Sequence, residues 1–306
     1  MIKLLMIADD FSGALDAGVQ FAARGAATRV VTDLDCDFLE TDAEVLVMVA
    51  EPRHLPPQKA YDVVYHVARN AREAGVPYIY KKTDSALRGN VGSELAAVMD
   101  AADADMMPFL PAFPKLNRVT RNGVHYVDGV PVAESIFGQD PFEPVTVSFL
   151  PDILRSQTEK PTVIHRLSGD AAPVCPGIQI YDAETDADLA RLSRALGTEG
   201  VHISAGCAGF AAALADLLKL HGPAPRQPRL PALFLVACGS VNPVTLRQMR
   251  MAEQHGFVHI HLTPEQKLEP AWLESQECRE KIADVEIPNC INPEEFEKLG
   301  SYLGIC

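Results

Sequence analysis

Three stretches of this chain are apolar at nearly every position, and each ends in charge. Ile2 to Ala8 runs into Asp9-Asp10-Phe11-Ser12-Gly13, Ala43 to Ala50 into Glu51-Pro52-Arg53-His54, and Val76 to Tyr80 into Lys81-Lys82-Thr83-Asp84-Ser85. A strand with one wet face alternates apolar and polar residues. A strand apolar on both faces must be covered on both, which is the condition of a parallel sheet between layers of helix. The runs alternate with helix-like segments, so the pattern predicts an α/β fold. Parallel strands place their carboxyl ends on one edge, where ligands of open α/β sheets bind. Asp9, Asp10, Arg53, Lys82, Asp84 and Arg88 are therefore expected to converge.

The loop Lys81 to Asn90, between the third run and a helix-like segment from Val91 to Met99, is the densest of these sites. Lys, Asp, Ser, Arg and Asn together suit a small polyhydroxylated anion. Each residue also has a plainer reading. Asn90 can cap the helix that follows, Asp10 or Ser12 can cap a helix from Ala14 to Arg24 that Gly25 stops, and Arg53 can be surface.

The rest of the chain continues in the same style, with one interruption. A helix is expected from Leu55 to Gly75, and strands at Met106–Phe109, Thr162–His165 and Gly177–Tyr181. Asn122-Gly123 and Asp128-Gly129 flank short apolar patches and signal hairpin turns, hence a β-excursion on the parallel core. A helix is expected from Asp186 to Leu196. Val201–Ser204 then leads through a small-residue turn, Ala205 to Gly209, into a helix ending near Lys219. The proline-rich stretch 223–229 reads as a linker between a first domain, 1–222, and an incomplete second α/β domain, 230–306. In the second domain we expect a strand at Leu230–Ala237, a turn at Gly239-Ser240, a helix at Val244–His255 and a strand at Val258–Leu262. A last helix is expected from Glu294 to Gly304. His259 and His261 share one strand face but make an incomplete metal set, so no metal ligands are assigned.

A net charge of −14 argues against a nucleic-acid partner, which would need a basic face. No apolar run is long enough for a membrane span. The seven cysteines are scattered, with no Cys-x-x-Cys pair, which fits reduced thiols in a cytoplasmic protein.

The segment Ile7-Ala8-Asp9-Asp10-Phe11-Ser12-Gly13-Ala14 resembles the amino-terminal signature of the four-carbon acid sugar kinases. Lys82-Thr83-Asp84-Ser85 with Arg88-Gly89-Asn90, Pro111-Ala112-Phe113-Pro114, and Tyr126 to Pro131 with Glu134-Ser135 continue the likeness in the family's order. Cys238 to Thr245 resembles the start of the family's nucleotide-binding domain. The resemblance implies an ATP-dependent kinase, with Mg²⁺, acting on D-threonate or D-erythronate, or on a 3-oxo-tetronate. It implies that Arg53 or Arg88 holds the substrate carboxylate, that Lys82, Asp84 and Ser85 hold its hydroxyls, and that Asn90 belongs to the same substrate site. Asp10 is implied as base, with Asp9 beside it, and Gly239 and Ser240 as nucleotide contacts. Relatives continue through further glycine-rich turns, so the chain is expected to be a shortened form or one completed by a partner; self-association is left open. Two rivals stand beside the kinase: a sugar-acid isomerase, aldolase or hydrolase on the same fold, and a non-catalytic sugar-acid binder.

Overall fold

The computed structural model describes residues 2–38, 41–140, 143–168, 175–223 and 243–257, with isolated positions 236, 238, 259 and 263. The chain divides into two compact units, Met1–Arg226 and Gln227–Cys306.

The first unit is built on strands β1 (Leu4–Ala8), β2 (Thr28–Val31), β3 (Val45–Val49), β4 (Tyr78–Lys82) and β5 (Met106–Leu110). A hairpin meander follows, β6 (Arg118–Arg121), β7 (Val124–Val127) and β8 (Val130–Pro131), and then β9 (Thr162–His165), β10 (Gly177–Tyr181) and β11 (Ile203–Gly206). Its helices are α1 (Phe11–Ala22), α2 (Pro57–Glu73), α3 (Val91–Ala101), α4 (Leu150–Arg155), α5 (Asp186–Leu196) and α6 (Ala208–Leu217). Eight strands form one parallel sheet in the order β2-β3-β1-β4-β11-β5-β10-β9. β1 and β3 are buried at every residue, as strands covered on both faces must be.

The two faces carry separate cores. Ile7, Leu46 and Ile79 pack beneath α2, α3 and α4, whereas Met6, Val47 and Tyr80 pack beneath α1, α5 and α6. The chain leaves β1 toward β2 and β3 on one side and returns to β4 on the other. The helix after β1 covers one face, and the helix after β4 covers the opposite face. This is a topological switch point, where the two following loops part and leave a crevice at the carboxyl edge.

The excursion is a three-stranded antiparallel sheet, β6-β7-β8. Its turns are Asn122-Gly123 and Asp128-Gly129, all four residues at positive φ as a primed hairpin turn requires. It leaves the carboxyl edge after β5, and it is tied back by bridges Thr120–Ala183 and Val124–Phe149.

Several boundaries differ from expectation for local reasons. α1 begins at Phe11 rather than Ala14, because Asp10 caps it by accepting from the Gly13 amide. α2 spans Pro57–Glu73, narrower than Leu55 to Gly75, because Pro57 opens it in the favoured first-turn position. Asn90 stands at the start of α3 but does not cap it with its side chain. The strand expected to begin at Val201 begins at Ile203, after a 3₁₀ turn at Glu199–Val201.

In the second unit, helix α7 spans Pro243–Gln254, and His259 pairs with Glu253. The expected strands at 230–237 and 258–262, the Gly239-Ser240 turn and the helix at 294–304 lie outside the described residues, apart from isolated positions. Among the described residues no helix is long and apolar enough to cross a membrane.

Candidate functional site

Asp9 and Asp10 follow β1, Arg53 follows β3, and Lys82 ends β4, so three neighbouring strands deliver their charges to one crevice. Arg53 is the hub. Its Nη2 lies 2.5 Å from Asp9 Oδ2, 2.5 Å from Asp10 Oδ2 and 3.5 Å from Asp84 Oδ1, and its Nε donates to Asp9 Oδ2 at 3.1 Å. Burial pulls its pKa down, but Asp9, Asp84 and Asp10 together raise it above the ordinary value, so it stays charged.

Asp84 organises the loop after β4. Its Oδ2 accepts from the amides of Ala86 (3.2 Å) and Arg88 (3.1 Å) and from Arg88 Nε (2.9 Å). Its Oδ1 accepts from Arg88 Nη2 at 3.1 Å. Burial opposes the charged form, yet Arg88, Arg53 and Lys82 hold its carboxyl well below the usual carboxylate range. Arg88 also donates from Nη1 to Asp140 at 3.1 Å. Asn90 is buried, and its amide donates to the carbonyls of Pro52, Arg53 and Leu55 at 3.0, 3.3 and 2.7 Å. It therefore locks the loop after β3 to the loop after β4. Gly89, at φ +80, sits where a Cβ would lie 2.8 Å from Arg53 Cγ.

The two lysines of β4 diverge, as neighbours on a strand must. Lys81 is wholly buried and pairs with Glu94 of α3 at 2.6 Å. Burial raises the Glu94 pKa, with Lys81 pulling it back. Lys82 turns to the other face. Its Nζ donates to the Thr83 carbonyl at 2.8 Å and lies 3.6 Å from Asp9 Oδ1. That oxygen is buried and has no hydrogen-bond partner. A Cβ on Gly13 would come within 2.7 Å of the Lys82 ammonium and 2.6 Å of Asp10 Oδ1, so glycine is needed for this approach.

The excursion closes the site from above. His125, wholly buried on β7, contacts the Ser85 carbonyl through Nε2 at 3.0 Å and Thr120 Oγ1 through Nδ1 at 3.1 Å. Burial lowers its pKa to about 4, so it is the neutral imidazole that donates to Ser85. Arg118 of β6 bonds Ser85 Oγ through Nη1. Lys81, Glu94, Arg118, His125 and Asp140 were not among the residues singled out from sequence. Period-2 alternation could have separated Lys81 from Lys82, and the lone acid in the buried segment Val91–Met99 could have flagged Glu94. Arg118 and Asp140 have no local signal. Gly239 and Ser240 lie outside the described residues.

A cleft of about 620 Å³ lies elsewhere, between α2, α3 and the loop after α4. Its central carboxylate, Asp100, is already answered by Tyr61 at 2.8 Å and Lys160 at 2.6 Å.

The family model for a sugar-binding N-terminal domain matches residues 4–214. A D-threonate kinase of Salmonella typhimurium is 32% identical over 297 residues, covering 93% of this chain and 67% of that protein. A D-threonate kinase of Bordetella bronchiseptica is 37% identical over 222 residues, 69% of this chain and 54% of that one. The chain thus spans between about half and two thirds of these relatives' length. A D-erythronate kinase of Heliobacterium modesticaldum and a 3-oxo-tetronate kinase of Escherichia coli match at 29% and 30% identity. A crystal structure of a Bordetella bronchiseptica protein, solved with bound citrate as a domain-swapped dimer, is 31% identical, with a TM-score of 0.63 over 83% of this chain and 65% of that one. With the family model matching residues 4–214, more than half of the chain, and its relatives so named, the chain belongs to the four-carbon acid sugar kinase family.

Proposed function

We propose that the crevice between β1 and β4 binds a four-carbon sugar acid, and that the protein transfers a phosphoryl group from ATP to a terminal hydroxyl of that acid. D-Threonate or D-erythronate is favoured. The observation that carries the reading is the unfilled pair in the crevice: the buried, unpartnered Asp9 Oδ1 with the Lys82 ammonium 3.6 Å away. A substrate hydroxyl would donate to the first and accept from the second, satisfying a polar atom that is otherwise costly to bury. Burial pulls the Lys82 pKa down, but Asp9, Cys207, Asp84 and Asp10 raise it, so the ammonium is charged when it meets the ligand.

Phosphoryl transfer asks for positioning and charge neutralisation more than covalent help. Asp10 keeps 31% of its side chain exposed, more than Asp9 or Arg53, and is the carboxylate that can reach an attacking hydroxyl. Its Oδ1 caps α1 and its Oδ2 faces Arg53, which fixes its direction. Asp84, Ser85 and Asn90 shape the loop that surrounds the hydroxyls.

ATP would bring the phosphoryl group, with Gly239 and Ser240 as its proposed contacts. The carboxylates of the crevice do not suit a resident divalent ion, because Asp9, Asp10 and Asp84 are already turned onto arginines. Mg²⁺ is therefore assigned to the phosphates and water of the nucleotide. The citrate bound to the Bordetella structure, itself a hydroxy acid, supports an anion of this class. The domain-swapped dimer of that structure supports self-association.

The test is ADP release, followed by a coupled assay, with D-threonate, D-erythronate and a 3-oxo-tetronate offered in turn. ADP formation that depends on one of these acids is expected. ATP turnover indifferent to all three would refute the assignment.

A further inference from the structure

The expected carboxylate holders, Arg53 and Arg88, are both occupied by the protein's own acids. Arg53 meets Asp9, Asp10 and Asp84, and Arg88 spends all three of its nitrogens on Asp84 and Asp140. Arg118 is different. Among the described residues it makes no ion pair with a carboxylate, although Asp16 lies near enough to sense its charge. Its Nη1 meets the neutral Ser85 hydroxyl, and its Nε is buried with no hydrogen-bond partner. A guanidinium carries five donors in a planar fork shaped for a carboxylate, and here most of that fork is unspent.

The position is also built to be held. The Arg118 backbone exchanges two hydrogen bonds with Phe113, at 2.7 and 3.2 Å, just past β5 on the same sheet edge. The Phe137 ring centre lies 5.1 Å from the guanidinium carbon of Arg118 and 5.1 Å from that of Arg88. One aromatic ring thus contacts both guanidinium groups and steadies that of Arg118.

We propose that Arg118 is the carboxylate-binding residue of the crevice and sets its preference for acids over uncharged polyols. This rests on the sugar-acid reading above. Phe137 positions the guanidinium, and Ser85, already bonded to it, links the carboxylate end of the ligand to the hydroxyl end at Lys82 and Asp9.

The experiment is calorimetric titration of the full chain with D-threonate and with D-threonamide, its uncharged counterpart. The wild-type chain should bind the acid about 10- to 100-fold more tightly than the amide, the range of a charge-assisted pair. Arg118→Met should remove most of that preference by weakening the acid alone. Arg118→Lys, which keeps the charge but not the fork, should reduce it and gives the answer if the Met variant does not fold. Loss of packing alone would weaken both ligands equally. A preference unchanged in either folded variant, while the wild type binds D-threonate, overturns the role of Arg118 and leaves the sugar-acid reading standing. Failure of the wild type to bind acid or amide overturns that reading, and this proposal with it.

Discussion

Lys81 and Lys82 are neighbours in sequence, end the same strand and are both buried, yet they belong to two differently built regions. Lys81 faces the layer of α2, α3 and α4, where the Glu94 carboxylate pairs with it and the carbonyls of Ile7 and Lys82 accept from it at 3.2 and 2.7 Å. Lys82 faces the α1 side, where the charges are shared among several partners and not all are satisfied: Asp9 Oδ1 has no hydrogen-bond partner and Asp10 is a third exposed. A closed pair supports the sheet edge. In the proposed reading, the open network is where the ligand binds. The difference teaches that burial and charge alone do not separate the two lysines; how completely their surroundings are satisfied does.

The largest expected effect lies on the closed side. Lys81→Met strands a buried carboxylate and should destabilise the first unit by about 3–5 kcal/mol in denaturant unfolding. Adding Glu94→Leu should restore most of that loss, because removing both partners of a buried pair is often neutral. If the folded double variant lost sugar-acid binding altogether, the two sides would not be separable.

The excursion gives the next effect. The lowered pKa of His125, about 4 against 6.5 for an unperturbed imidazole, means that the unfolded chain takes up a proton that the native chain refuses. Stability contributed by the neutral ring is complete above about pH 6.5 and is lost as pH falls toward 4, by roughly 3 kcal/mol over the window. His125→Gln, whose amide can still donate to the Ser85 carbonyl, should flatten that part of the stability–pH curve. An unchanged slope would show that His125 is not the titrating group.

On the open side, Asp10→Asn should lower turnover of the sugar acid by roughly 10²-fold, the scale of general-base loss. The melting temperature should fall only modestly, because Asn caps a helix as well as Asp does and Arg53 keeps Asp9 and Asp84 when the Asp10 charge is lost. Near-normal turnover would confine Asp10 to capping α1. The smallest effect is expected from Gly13→Ala, whose methyl must displace the Lys82 ammonium. Affinity for the acid should fall about tenfold, at the low end of overpacking costs.

The sequence made the closed architecture plain and the open chemistry only half visible. Runs apolar on both faces, such as Leu4–Ala8, leave little choice but a parallel sheet, and Asn-Gly and Asp-Gly each specify a hairpin turn. β2 and β6 escaped notice because they are short and only partly buried, and Arg118-Val119-Thr120-Arg121 reads as loop. Within the crevice, Asp9, Asp10, Arg53 and Asp84 lie in strand-end loops and so could be read from position. Which arginine is free could not. That depends on Asp140, 52 residues from Arg88, and on a hydroxyl 33 residues from Arg118. Asn90 shows the same limit: its place before a helix suggests a cap, while its side chain instead ties together two loops.

Hydrogen exchange of the chain with and without D-threonate tests the central claim most directly. The amides of residues 9–13 and 82–90 should gain protection on binding, with Arg118 and its hairpin following, because these segments line the crevice between β1 and β4. Protection confined to the cleft around Tyr61, Asp100 and Lys160, with the strand-end loops unchanged, would place the ligand elsewhere and contradict the account.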